Sequence, residues 1–172
     1  MAASRTKPPI RIRRARPDEY DDVAGLTVST YVGDGLVSPD DSYVERLADV
    51  AGRAGETDLL VAVRGTEVVG SVALALAGGP YAEDAGPDDA VFRMLAVDPA
   101  ARGLGIGEAL VRACLQRAAA AGRQRMCIST QPDMLAAHRL YRRLGFTRRA
   151  QDWEPLPGVR LWRFERPLDD VT

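Results

Sequence analysis

Apolar and polar positions divide the chain into short alternating runs and a few longer stretches of helical period. Residues 10–14 alternate weakly and suit a first strand. Pro17 then opens a helix, because its fixed φ is preorganised for a first turn, and Asp18 and Glu19 favour the positive end of the dipole. Tyr20, Val23, Ala24, Thr27 and Tyr31 fall on one face of that helix, which Gly33 and Gly35 end. Ser38-Pro39-Asp40-Asp41 reads as the cap and start of a second helix, with Tyr43, Leu47 and Val50 on its inner face. Leu59–Val63 and Val68–Ala77, separated by Arg64-Gly65-Thr66-Glu67, predict an antiparallel hairpin. Residues 78–89, GGPYAEDAGPDD, read as a polar loop, either a solvated acidic one or one whose Tyr81, Glu83, Asp84, Asp88 and Asp89 meet a cationic acceptor.

The most ordered pattern runs from Val91 to Gly122. Val91–Val97 is apolar on nearly all positions of both faces, the mark of a central strand. A turn at Asp98-Pro99 leads to the loop Arg102-Gly103-Leu104-Gly105-Ile106-Gly107, which opens into a helix. Leu110, Val111, Cys114, Leu115 and Ala118 share its inner side, while Arg112, Gln116 and Arg117 turn to water. Arg125–Thr130 reads as a strand and Asp133–Leu144 as a helix that Gly145 stops. Phe146–Trp153 and Val159–Leu168 form a closing pair of strands joined by the proline-rich loop Glu154–Gly158. There is no internal repeat or long linker, so one domain is expected over residues 10–168, with 1–9 a disordered lead-in and 169–172 a tail.

Glycines at the start of a helix have a chemical use. The first four helix amides lack an internal partner, the dipole adds positive charge there, and glycine lets a ligand approach the backbone closely. The loop at 102–107 is therefore a candidate anion site for phosphate or pyrophosphate, with Arg102 adding a full charge. It is not a dinucleotide fingerprint, since Glu108 stands where a small residue is needed. Nor is it a Walker loop, because no Gly-Lys-Ser/Thr triplet occurs.

Arg102-x-x-Gly105-x-Gly107, preceded by Leu95-Ala96-Val97-Asp98-Pro99, resembles motif A of the GNAT N-acetyltransferase superfamily. A second block, Ala137 to Phe146, is similar to that family's A-x-x-L-Y-x-x-x-G-F segment. The resemblance implies an α/β domain: a mixed, mostly antiparallel twisted sheet of about seven strands flanked by four helices. It implies acetyl-CoA, or another acyl-CoA, as co-substrate, with its pyrophosphate on the amides of Arg102, Gly103, Leu104, Gly105, Ile106 and Gly107. The pantetheine arm would pair with the backbone of Leu95, Ala96 and Val97, and an N–H near Leu95 would face the thioester oxygen. Tyr141 stands at the family's tyrosine and would protonate the departing thiolate, as a phenol still protonated at neutral pH. The helix–loop–helix unit would cover the acceptor, so Tyr31 and Tyr43 either line a substrate pocket or are plain core; Tyr81, from the 78–89 loop, is a further candidate substrate residue beside Tyr31. The acceptor is expected to be a primary amine, on a small molecule or on a protein or peptide, attacking directly in a ternary complex. A homodimer is compatible with the family.

Two positions depart from the family pattern. Ala90-Val91-Phe92-Arg93 carries no carboxylate where relatives often place a basic glutamate, and Met134 replaces a common asparagine. Asp88, Asp89, Glu83 or water alone are the alternatives for the base, and none is singled out. His138 reads as an ordinary surface or packing residue. A covalent route through Cys127 or Cys114 has no visible activating partner.

Composition narrows the remainder. With 172 residues and 46% apolar content the chain can bury a core unaided. A formal net charge of −1 provides no global field for nucleic acid, although arginines gather at 11–16 and 139–149. No apolar run is long enough to span a membrane, and Met1–Pro9 lacks the hydrophobic core of a secretory signal. Two cysteines on apolar faces suit a reduced, cytoplasmic protein. One histidine and scattered cysteines make no metal constellation. Two competing functions remain at this level: a non-catalytic acyl-CoA-binding module of the same fold, and a nucleotide-phosphate enzyme using the same loop.

Overall fold

A computed structural model describes residues 8–76 and 78–172. Residues 1–7, most of the expected lead-in, lie outside the described residues, as does Ala77 at the end of the hairpin reading.

Among the described residues, eight strands and five α-helices make a mixed sheet with helices on both faces. The strands are β1 (Ile10–Arg14), β2 (Asp58–Arg64), β3 (Glu67–Ala75), β4 (Asp89–Val97), β5 (Arg125–Thr130), β6 (Thr147–Arg148), β7 (Trp153–Leu156) and β8 (Val159–Pro167). They order as β1-β2-β3-β4-β5-β8-β6, with β7 paired to β8. Every pairing is antiparallel except β4 with β5, whose crossover contains helix α4 (Ile106–Ala120). The apolar run expected to be central lies between β3 and β5.

The strand and helix counts exceed the expected seven and four for local reasons. The segment expected as one strand over 146–153 pairs with β8 only at Thr147–Arg148, then leaves the edge and returns as β7. Asp152 accepts from Arg148 and Arg160 at that departure. The second expected helix breaks at Asp49 into α2 (Tyr43–Ala48) and α3 (Val50–Glu56). Asp49 leaves the helical region at φ −76°, ψ 71°, and its carboxylate caps α3 through the Gly52 amide. Arg53, buried, donates to the carbonyls of Arg46 and Leu47 and closes the end of α2. The remaining helices are α1 (Tyr20–Gly33) and α5 (Leu135–Arg143).

The sheet separates two apolar layers. Phe92, Met126, Ile128 and Phe164 pack with α4 and α5 on one face, where Ile106, Leu110, Val111, Cys114, Leu115 and Ala118 of α4 are all buried. Val91, Met94 and Cys127 face the other layer with Val37, Leu47 and Tyr81, and Tyr31 and Tyr43 partly cover it. Helix α4 sits close because β3 carries Gly70 beneath it: an added Cβ would lie 2.9 Å from Ile106 Cγ2 and 3.0 Å from Leu110 Cδ1. Gly70→Val is therefore expected to cost about 1–3 kcal/mol by overpacking, read as a lower urea midpoint with an unchanged slope.

Candidate functional site

The sheet opens at one place. β4 pairs with β5 only from Asp89 to Val91, opposite Arg125 to Cys127. Beyond Val91, β4 follows β3 as far as Val97 opposite Gly70, while β5 follows β8 as far as Thr130 opposite Trp162. The two strands part, leaving the inner edge of β4 without a strand partner. A bulge drives the change of direction: Ala73 faces Arg93 and Ser71 faces Ala96, so Met94 and Leu95 together oppose Val72. Met94 is the one non-glycine at positive φ among the described residues, at 55°. Such a conformation costs about 1–3 kcal/mol and persists where surrounding structure enforces it.

The glycine loop lies where β4 ends. Gly103 and Gly105 adopt φ +77° and +76°, which only a residue without Cβ takes freely, and Gly105 directly precedes α4. The amides of Gly103, Leu104, Gly105, Ile106, Gly107 and Glu108 donate to no acceptor among the described residues. They lie at and just before the N-terminus of α4, where free N–H groups and the helix dipole suit an anion. A Cβ added at Gly107 would lie 3.6 Å from Leu140 Cδ2 of α5 and 3.8 Å from Val97 Cγ2 of β4, so the loop lies against the end of β4 and against α5. Arg102, expected to add its charge there, forms instead a two-pronged pair with Asp34 after α1, at 2.7 and 3.2 Å.

Tyr141, on α5, lies on the α4 side of the sheet and is 2% exposed. Its ring makes edge contacts with Phe92 at 5.7 Å and Phe164 at 5.9 Å. Burial, and after it the Cys114 thiol, pushes the phenol above its ordinary range, so it stays protonated at any physiological pH. Its hydroxyl has no protein partner among the described residues and is free to serve a ligand. His138, one turn earlier, is buried, bonds Thr130 Oγ1 through Nε2 at 2.7 Å and stacks on Trp162. Burial holds its pKa down, and its part is to tie α5 to β5.

On the opposite face, Tyr81 is buried in one layer with Val91, Met94 and Cys127, and Tyr31 packs against that layer, partly buried. Burial, with lesser contributions from the phenols of Tyr43 and Tyr141, raises the Tyr31 phenol. Tyr81 is covered by the Arg46 guanidinium at 5.0 Å. The 78–89 loop is not the solvated acidic loop its composition suggests. The Asp84 side chain is 1% exposed, Tyr81 and Ala82 are buried, and Asp89 is held by both prongs of Arg125. Asp84 binds Arg93 and Ser129 across the open end of the gap, a contact for which the sequence carried no local signal. Met94 was equally invisible, since nothing in its chemistry announces a positive φ. Met134 ends as the residue before α5 and makes no side-chain cap. Among the described residues no group of three metal-ligating side chains gathers, and no helix is long and apolar enough to cross a membrane.

Residues 22–146 match the acetyltransferase (GNAT) family. No curated protein matches the chain's sequence. Among solved structures, a GNAT family acetyltransferase from Brucella melitensis in complex with acetyl-CoA is 26% identical, over 81% of this chain and 83% of that one, with a TM-score of 0.60. Phosphinothricin acetyltransferase (Pat) from Sinorhizobium meliloti, also with acetyl-CoA, is 20% identical over 95% and 90%, with a TM-score of 0.71. The PaiA N-acetyltransferase of Thermoplasma acidophilum, with coenzyme A, is 14% identical over 92% and 99%, with a TM-score of 0.74.

The cysteines yield a test of the covalent alternative. Burial and then Asp89 push Cys127 up to about 11, and burial raises Cys114 further. Both thiols are expected to resist an aromatic disulfide reagent at pH 7 and to react only once the protein is unfolded. Rapid titration of one thiol in the native protein at that pH would revive Cys127 as a nucleophile.

Proposed function

The chain belongs to the acetyltransferase (GNAT) family, and from that premise we propose that it transfers an acyl group, acetyl in the simplest case, from acyl-CoA to a primary amine. The observation that carries this reading is the junction of three features: a parted strand pair, a run of free amides at its mouth, and a buried phenol beside it. The amides from Gly103 to Glu108 hold the pyrophosphate. The pantetheine arm lies along the unpaired edge of β4 at Leu95, Ala96 and Val97, taking the hydrogen-bonding place of the missing strand. Near the bulge, an amide of β4 stabilises the oxyanion that forms when the amine attacks.

Tyr141 protonates the departing thiolate. Burial makes the phenol a weaker acid, but it disfavours the departing thiolate as well, so the proton passes to sulfur as negative charge grows there. Tyr31 and Tyr81 wall the acceptor, which enters from the α1–α2 face, so the two substrates meet through the gap from opposite sides. Attack is direct, consistent with two protonated cysteines.

Thermal denaturation with added ligand tests the cofactor half. At a hundredfold excess over Kd, acetyl-CoA is expected to stabilise by about 2.7 kcal/mol, a Tm rise of about 5–10 °C for a chain of this size, while ATP and NAD leave Tm unchanged. No shift with any CoA species at millimolar concentration would sink the proposal. Amine-dependent release of free CoA then separates an enzyme from a binding module. With an acceptor in hand, Tyr141→Phe should lower kcat at least about tenfold while the acetyl-CoA shift persists; an unchanged kcat removes the phenol from the reaction.

A further inference from the structure

The loop over 78–88 delivers one side chain to the open end of the gap. Asp84 Oδ1 accepts from Arg93 Nη2 on β4 at 2.8 Å, and Oδ2 accepts from Ser129 Oγ on β5 at 2.5 Å. The carboxylate thus spans the two strands just past their last register pair, Val91 with Cys127. Arg163 of β8 donates to the Asp84 carbonyl at 2.5 Å, and Arg93 Nε donates to the Tyr81 carbonyl at 2.7 Å. Alternation places Arg93 and Ser129 on the face of Val91 and Cys127, with Tyr31 and Tyr81 and opposite Tyr141.

A hydroxyl has one hydrogen and two lone pairs. Ser129 has given its hydrogen to Asp84 in a short, charge-assisted bond, so this half-buried side chain offers only lone pairs to a group in the gap. An amine attacking a thioester needs that partner, because its nitrogen becomes cationic as the bond forms and must shed a proton. We propose that Ser129 accepts this proton and that Asp84, delivered by the loop in place of a carboxylate on β4, positions Ser129 and draws the charge away. The assignment rests on the acyl-transfer function proposed above.

The step balances. The nitrogen lone pair forms the C–N bond while the carbonyl π pair moves to oxygen. The adduct's ammonium proton passes to Ser129 Oγ as the serine's own hydrogen moves to Asp84 Oδ2. Collapse breaks the C–S bond, the pair leaves on sulfur, and the Tyr141 hydroxyl supplies the thiol proton. Solvent takes the proton from Asp84 and returns one to Tyr141, so amine plus thioester become amide plus thiol. An ion-paired carboxylate suffices because this ammonium, on a carbon bearing oxygen and sulfur, is far more acidic than a free alkylammonium. The free amine loses its own proton to solvent before binding.

Isosteric variants at Ser129 decide the matter, since threonine and valine share a shape and differ in the hydroxyl. Thiol release from acetyl-CoA is followed with alanine, spermidine, kanamycin and a tripeptide as probe amines, and acetyl-CoA binding is followed by thermal shift. Ser129→Val is expected to lower kcat about a hundredfold, with the acetyl-CoA shift retained, and Ser129→Thr to recover at least tenfold of that loss. Asp84→Asn, which reverses the bond by donating to Ser129, should lower kcat similarly, and the double variant with Ser129→Val should be no worse than either alone. Valine and threonine enzymes of equal kcat, or losses that multiply in the double variant, would overturn the assignment. Should Asp84→Asn disturb folding, the serine pair still decides. Wild-type enzyme that binds acetyl-CoA yet releases thiol with none of the probes removes the acyl-transfer reading, and the relay with it.

Discussion

The whole arrangement depends on a strand pairing that stops after three residues. Backbone groups in the middle of a sheet are ordinarily satisfied by the neighbouring strand, and leaving them unpaired away from water is costly. Here neither strand can move to repair the defect. β4 is fastened to β3 through Val97, and β5 to β8 through Thr130, so each parted strand is held on its outer side. The bulge at Met94 turns β4 away, and the register on either side of it keeps the methionine in its strained conformation. The gap is therefore a rigid feature of the sheet, suited to a ligand that brings its own amide donors and acceptors.

The two faces of the gap differ in what they do to charge. On the α5 side Tyr141 sits among Phe92, Phe146 and Phe164, where an anion is disfavoured and a phenol keeps its proton. On the other side charge is present but already paired: Asp84 is almost fully buried, and it persists because Arg93 and Ser129 both donate to it. A buried ion pair of this kind adds little net stability, since desolvation offsets most of the attraction. Its retention at the mouth of the gap is more readily understood as positioning than as a contribution to folding. The proposed proton donor on one face and the proposed acceptor on the other match a reaction in which one proton leaves nitrogen and another arrives at sulfur.

Most of the fold was legible from periodicity. The buried residues of α4, the limits of β1 and β5 and the central place of β4 all follow from local patterns that the structure reproduces. The misjudged elements are those where a single side chain redirects the backbone: Asp49 splitting α2 from α3, and Asp152 gathering Arg148 and Arg160 where the chain departs from β8. The glycine loop before α4 was readable because it is made of consecutive residues, and the structure leaves the amides from Gly103 to Glu108 without an acceptor among the described residues. Arg102 was misread in part, because its partner Asp34 lies 68 residues away. The solvated reading of the acidic loop was wrong for Asp84: composition places that carboxylate in water, while arginine and serine partners on three strands hold its residue inside.

That difference has a physical origin that bears on how such a site changes its substrate. The loop that would carry the cofactor is a contiguous stretch, strand end to helix start, and its geometry is set by glycine φ angles and the helix terminus. The acceptor half is assembled from α1, the 78–88 loop, β4, β5 and β8, and its contacts span up to 79 residues of sequence. Exchanging the loop would replace Tyr81 and Asp84 together, and with them the side-chain bonds to Arg93 and Ser129, while the pairing of β4 with β3 and of β5 with β8 and the free amides stay as they are. Acceptor preference can then vary without cost to acyl-CoA binding, provided that whatever replaces Asp84 still neutralises Arg93. A loop lacking that carboxylate would leave a half-buried guanidinium at the gap, and the acceptor itself would then have to supply the anion.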